Sequence, residues 1–312
     1  RDLHLSLRRQ RQMCIRDRVI MKLIYYPGCT LKNQAKNFED SGLCALEKMG
    51  VEVQELAKWN CCGTVFSLVT DDLIHHIAPI RVLIRTKEAG SNSLMTMCAM
   101  CFNTLKRANE RIKADAEALS TLNELMYEEE TKYEGDVEIL HLLEILKNQI
   151  GFDSIREKVT KPLQNLNVAS YYGCYLVRPR EIGIDDPENP QIMDELMATL
   201  GATPIDFPYK TECCAAYKTV DNPQIVAERT YQIINSAREA GAEVVVVSCP
   251  LCAFNLDSRQ KETRQLFPEF QHMPVLYFTQ LAALALGCPE EKLRLDLHYI
   301  DPKPILKSKG LI

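Results

Sequence analysis

From Met21 onward the apolar residues fall into short continuous runs, separated by longer stretches with helical spacing. "MKLIYY" and "VASYY" are compact β-rich runs, and each leads at once into glycine and cysteine ("YYPGC", "YYGC"). "SLMTMCAMC" and "VVVVSCPLC" are apolar runs that end in C-x-x-C. Between them, "NFEDSGLCALEKMG", "PQIMDELMATLG", "DDLIHHIAPIRVLIRTKEAG" and "NPQIVAERTYQIINSAREAG" carry helical apolar spacing, and each ends at a glycine stop. Each half therefore predicts strand–helix–strand–helix–strand. Near-continuous apolar strands alternating with helices predict an α/β fold of two pseudo-symmetric repeats with parallel or mixed sheets. The expected domains are residues 21–160 and 161–312. Residues 103–165 read as a charged, helix-rich tail and linker, and the chain from 253 onward as one or two helices and a Pro/Lys-containing tail.

Residues 1–20 do not fit this pattern. They are Arg-rich, poor in serine for a transit peptide, and "MCIRDR" looks like a translated sequencing adapter. They read as a non-native extension ahead of a true start at Met21, and Cys14 is set aside with them.

The cysteines repeat with the strands. Cys29, the vicinal pair Cys61-Cys62 and Cys98-x-x-Cys101 recur about 150 residues later as Cys174, Cys213-Cys214 and Cys249-x-x-Cys252. Cys29, Cys98, Cys174 and Cys249 each directly follow a strand. The vicinal pairs follow the second strand of each copy ("VEVQEL", "TPIDF"). In an open α/β sheet the crevice beyond the strand carboxyl ends is where sites form, so five thiols are expected to converge in each half.

Composition narrows the chemistry. The chain has 312 residues, 46% of them hydrophobic, with a net charge of −5, which gives no basic field for nucleic acid. No apolar run reaches the length of a membrane span. Thirteen cysteines in a chain of this size, without a secretory signal, read as reduced cytoplasmic thiols for metal. A structural zinc site takes four ligands and would strand one cysteine in each set. Disulfides within the vicinal pairs are a further alternative. Iron–sulfur clusters, whose standard ligand is the Cys thiolate, fit best. No dinucleotide or Walker pattern is present, so electrons must come from elsewhere.

The segments "YYPGC", "NCCG", "CAMCFNTL", "GCYLVRP", "IDDPENPQIMDELMATLGA", "YKTECC" and "SCPLCAFNLD" resemble the B subunit of heterodisulfide reductase, in the family named for its cysteine-rich CCG repeat. The resemblance runs from Met21 to about Gly287. It implies two noncubane [4Fe–4S] clusters, one on Cys29, Cys61, Cys62, Cys98 and Cys101, the other on Cys174, Cys213, Cys214, Cys249 and Cys252. It implies reductive cleavage of a disulfide held between them, of the coenzyme M–coenzyme B type or a related one. A ferredoxin-like partner of the same complex, and a flavin-containing one behind it, would supply the electrons. Related CCG proteins also serve as electron-transfer or membrane-attaching subunits of succinate or glycolate dehydrogenase-type complexes, which is the alternative reading. One position departs from the family: "CCAA" puts Ala215 where glycine is usual, adding a Cβ where the backbone needs positive φ or close approach.

The remaining residues read more plainly. Arg178, Arg180 and Lys210 flank the second cysteine set and are candidates for an anionic substrate, or are surface charge. Cys44 reads as a core thiol and Cys288 as a bystander. His75 and His76 read as solvated or core histidines, and Trp59 as packing.

Overall fold

The computed structural model describes residues 21–64 and 72–312. The N-terminal extension and Cys14 lie outside the described residues. Two four-stranded sheets form, and every strand pair in both is parallel. The first holds β1 (Lys22–Tyr25), β2 (Glu52–Glu55), β3 (Ser93–Thr96) and β4 (Glu138–His141), in the order β2-β1-β3-β4. The second holds β5 (Asn167–Tyr171), β6 (Thr203–Ile205), β7 (Val244–Val247) and β8 (Val275–Tyr277), in the order β6-β5-β7-β8. Helices connect successive strands, as a parallel pair requires. The inner strands are sealed: all four valines of β7 are buried.

The expected helices form where the glycine stops put them. Helix Lys36–Met49 ends at Gly50, whose φ of 82° is the left-handed cap that a Cβ would disfavour. Helices Ile77–Glu88, Ile192–Thr199 and Pro223–Glu239 fill the other three segments.

Each sheet has one strand more than the expected three. β4 extends the first sheet from within residues 103–165, and β8 extends the second from the region expected to be only helix and tail. Each runs straight into helix, at Leu142 and at Phe278, so its apolar residues merge with those of the helix in the sequence. β4 supports the site directly. Its His141 is fully buried, donates from Nε2 to Met97 O at 2.7 Å and accepts at Nδ1 from Leu143 N–H. Burial lowers its pKa to about 3, so it stays neutral as it holds the carbonyl next to Cys98.

The two halves are tied by exchanged arms. After β8, helix Phe278–Ala285 packs on helix Lys36–Met49 of the first half. Tyr277 stacks on Phe38 with ring centroids 4.3 Å apart, and Ser41 Oγ meets Thr279 Oγ1 at 2.7 Å. Reciprocally, the segment after β4 reaches helix Ile192–Thr199, where Lys147 pairs with Glu195 at 2.6 Å. This exchange corrects the reading of two cysteines. Cys44 and Cys288 are bonded as a disulfide, with Cα atoms 6.3 Å apart, and are neither a free core thiol nor a bystander. Cys44 lies on helix Lys36–Met49 and Cys288 just past the arm that covers it, so the crossing brings together residues 244 apart in sequence.

Candidate metal centre

In both sheets the chain winds outward in one direction and then reverses, so a switch point falls between β1 and β3 and again between β5 and β7. That is where crevices open beyond strand carboxyl ends. Cys29 and Cys98 leave the strands flanking the first crevice, and Cys174 and Cys249 those flanking the second. Cys98 and Cys249 are also the N-caps of helices Ala99–Ala114 and Pro250–Ser258, where the helix dipole favours thiolate; Cys249 is lowered, whereas Cys249 and burial together raise Cys98.

The ten motif cysteines are all free, and they come together. In the first half Cys29 Sγ is 3.8 Å from Cys61 Sγ, and Cys62 Sγ is 3.6 Å from Cys101 Sγ. In the second, Cys214 Sγ is 3.4 Å from Cys252 Sγ, and Cys213 is the main influence that raises the Cys174 thiol. The two sets meet. Ala99 N–H, next to Cys98, donates to Ser248 O, next to Cys249, at 3.1 Å, and Cys98 and Cys249 each shift the other's titration. The sulfurs thus run as a line from an exposed rim at Cys29 and Cys61, through the buried Cys98–Cys249 junction, to a half-buried rim at Cys174 and Cys213.

Thiols held low and thiols held high stand side by side along this line. Cys101 chiefly, and then Cys61, hold Cys62 below the ordinary thiol range. Cys249 is lowered chiefly by Cys252 and then by Cys98. Cys213 falls to about 6, mainly through Cys174, helped by Ala215 N–H at 3.3 Å and by Arg229. Cys61, Cys98, Cys101, Cys174 and Cys252 are pushed up. Thiolates beside exchangeable thiols are what a thiophilic metal displaces protons from. Among the described residues no three His, Cys, Asp or Glu side chains close around a single ion position, and the sulfurs are organised as pairs.

Local backbone serves this close packing. At Gly28, with φ of 71°, a Cβ would lie 2.9 Å from Cys101 Sγ, so only glycine lets the second C-x-x-C cysteine approach. In the vicinal loops Gly63 has φ of 75°, and Ala215 sits at φ 57° and ψ 36°. The second copy holds alanine in the left-handed conformation its partner gives to glycine, at a cost of about 1 kcal/mol. Asn255 Nδ2 donates to Cys214 O at 3.1 Å, and Thr104, its counterpart, bonds to Thr64 at 3.1 Å.

The basic candidates divide by their partners. The Arg178 guanidinium donates to Thr211 O at 2.8 Å and Glu188 Oε1 at 2.9 Å, and remains partly exposed. Arg180 is largely exposed and only loosely paired, 3.8 Å from Asp186. Lys210 is buried. Its ammonium is committed to Asp206 at 2.7 Å, Asn189 Oδ1 at 2.9 Å and Pro190 O at 3.3 Å, while its carbonyl receives Tyr172 N–H and Gly173 N–H. It braces the loop after Cys174 from within. Asn103 does the same from the other half, donating to Tyr175 O at 2.8 Å and Arg178 O at 2.7 Å. His75 and His76 form a turn beside the Cys61-Cys62 loop, and Trp59 packs edge-on to Tyr26. The sequence does not single out Asn103 and Arg229, which the fold alone brings to the cysteines. Nor does it mark Tyr26 and Tyr171, which stand three residues before the first cysteine of each copy and read there only as strand.

The family profile of the cysteine-rich CCG domain matches residues 23–106 and 168–257. A membrane anchor subunit of 8-methylmenaquinol:fumarate reductase from Wolinella succinogenes is 30% identical over 89% of this chain and 96% of its own length. The B subunit of a ferredoxin/F420H2-dependent CoB-CoM heterodisulfide reductase from Methanosarcina acetivorans is 29% identical over 89% of this chain and 94% of its own. A hypothetical protein from Helicobacter pylori shares the fold, with a TM-score of 0.71 at 16% identity, over 89% of this chain and 51% of that one. With two matched repeats and relatives that align over nearly their full length, the chain belongs to the cysteine-rich CCG domain family.

Proposed function

We propose that the chain is the iron–sulfur subunit of a heterodisulfide-reductase-type complex, and that it cleaves a disulfide reductively to two thiols. Cys29, Cys61, Cys62, Cys98 and Cys101 would hold one noncubane [4Fe–4S] cluster, and Cys174, Cys213, Cys214, Cys249 and Cys252 the other. The fit rests on the donor set, which is five thiols per half with no carboxylate among them, and on the space that Gly28 leaves beside Cys101. When bound, each cluster supplies a one-electron centre with iron that takes thiolate readily.

The chain's own residues shape the rest. The observation that carries the proposal is the bond from Ala99 N–H to Ser248 O at 3.1 Å, which sets the residues around Cys98 and Cys249 side by side and makes the two five-thiol sets adjacent. Reduction of R–S–S–R′ consumes two electrons and two protons, and adjacent one-electron centres avoid releasing a free thiyl radical. The exposed rim at Cys29 and Cys61 gives access. Arg180, and the open part of Arg178, would take an anionic group on the substrate, while Lys210 and Asn103 hold the loop that carries them. The halves 21–160 and 161–312 would each contribute one centre from one domain. Electrons would come from a ferredoxin-like partner and, behind it, a flavin-containing one, in the cytoplasm.

The full chain should reduce a small disulfide with an artificial low-potential one-electron donor and should not oxidise NADH unaided. NADH oxidation by the chain alone, or no disulfide cleavage with a reductant that visibly bleaches the protein, would overturn the proposal.

The relative from Wolinella favours a second reading, in which the chain passes electrons or attaches a fumarate- or succinate-linked complex to the membrane. Among the described residues no helix is long and apolar enough to cross a membrane, so attachment would have to be peripheral or through another protein of the complex.

A further inference from the structure

Two tyrosines stand in the same place in the two halves. Tyr26 and Tyr171 are almost wholly buried, with 0% and 1% of their surface exposed. The Tyr26 hydroxyl donates to Asn60 O at 2.9 Å, and the Tyr171 hydroxyl to Glu212 O at 2.5 Å. Asn60 and Glu212 are the residues immediately before the vicinal pairs Cys61-Cys62 and Cys213-Cys214. Each phenol is also surrounded by its own sulfurs. Burial, and then the charges of Cys101, Cys62, Cys61 and Cys29, raise the pKa of Tyr26. Burial, and then Cys214, Cys252, Cys174 and Cys213, do the same for Tyr171.

We infer that Tyr26 and Tyr171 are positioning residues, each pinning one vicinal-cysteine loop to the strand that delivers the first cysteine of its set. The loops have other ties, such as Asn60 Nδ2 to Ala78 O at 3.0 Å in the first half and Arg229 Nε to Cys213 O at 3.2 Å in the second, but these differ between the halves. Two adjacent cysteines can both face one site only if the backbone before them is fixed, and in both halves the tyrosine bond crosses from the end of β1 or β5 to the carbonyl just ahead of the pair. The neighbouring tyrosines do something else: Tyr25 bonds to Glu39 and Tyr172 to Asp194, both on helices away from these loops. The inference concerns the loops and holds whatever metal the sets take.

Cys62 and Cys214 are 2% and 3% exposed, so reagents reach them only when the loop opens. The test is peptide-mapped alkylation of the full-length chain as isolated, with reductant and chelator present. Tyr26→Phe keeps the ring and removes only the hydroxyl. It should speed alkylation of Cys62 about tenfold, the equivalent of about 1.4 kcal/mol of lost hydrogen bonding, and leave Cys214 unchanged. Tyr171→Phe should do the reverse. Tyr25→Phe and Tyr172→Phe, which remove buried hydroxyls of the same kind, should alter neither. Equal acceleration of both cysteines, no acceleration, or the same effect from the control variants would overturn the assignment.

Discussion

Replacing Cys62 or Cys214 with alanine is expected to lower disulfide-reducing activity by about a hundredfold or more, and the double variant should be little worse than either single one. Along the line of sulfurs, Cys62 links the first vicinal pair to Cys101, and Cys214 links the second to Cys252. On the proposed assignment, losing either would remove one ligand from one centre while leaving the other set intact. If each centre handles one sulfur of the disulfide, one centre alone must release a thiyl radical, and the reaction stalls whichever side is damaged. Residues that act as a unit are non-additive in this way. A chain that only relays electrons would behave differently, since one set would face the donor and the other could be dispensable. Steady-state rates with an artificial donor, normalised to bound iron, decide between them. Retention of more than roughly half the activity in either single variant would rule out the paired mechanism.

The second large effect is expected at Gly28. A methyl group there meets Cys101 Sγ at 2.9 Å on a backbone already at φ 71°. The sulfur cannot retreat far, because Cys101 is buried between Cys62 and Cys98. Gly28→Ala should therefore cost about 2 kcal/mol of stability and empty the first set while sparing the second. Gly173→Ala should be milder, because there the nearest atoms are Tyr171 Cε1 at 3.3 Å and Cys252 Sγ at 3.4 Å. Denaturant melts and metal content per chain measure both. An effect at Gly173 equal to or larger than that at Gly28 would contradict this packing.

What the sequence reveals of this fold and site follows from what repeats in it. The ten motif cysteines are legible because strand, glycine and thiol recur together in both copies, and the helices because each ends in a glycine. The strain at Ala215 is legible for the same reason, since its counterpart is Gly63 and the backbone there is left-handed. The pairing of Cys44 with Cys288 is not legible, because it depends on an arm from one half lying across the other and nothing local announces it. β4 and β8 are hidden because each runs without a break into the helix that follows it. Tyr26 and Tyr171 are visible as letters in "YYPGC" and "YYGC", but their hydroxyls acquire a purpose only once the vicinal loop folds back over the strand end. Lys210 lies in the expected place beside the second pair, yet its charge is turned to internal carbonyls and carboxylates, which sequence proximity could not show.

Whether the two five-thiol sets hold two four-iron clusters is decided by quantitative metal and acid-labile sulfide analysis of the anaerobically purified chain. About eight irons per chain with a matching amount of sulfide are expected, falling to about half in Cys62→Ala and in Cys214→Ala alike. Stoichiometric zinc with little iron, or iron that disappears entirely with the loss of one set, would refute the two-cluster assignment.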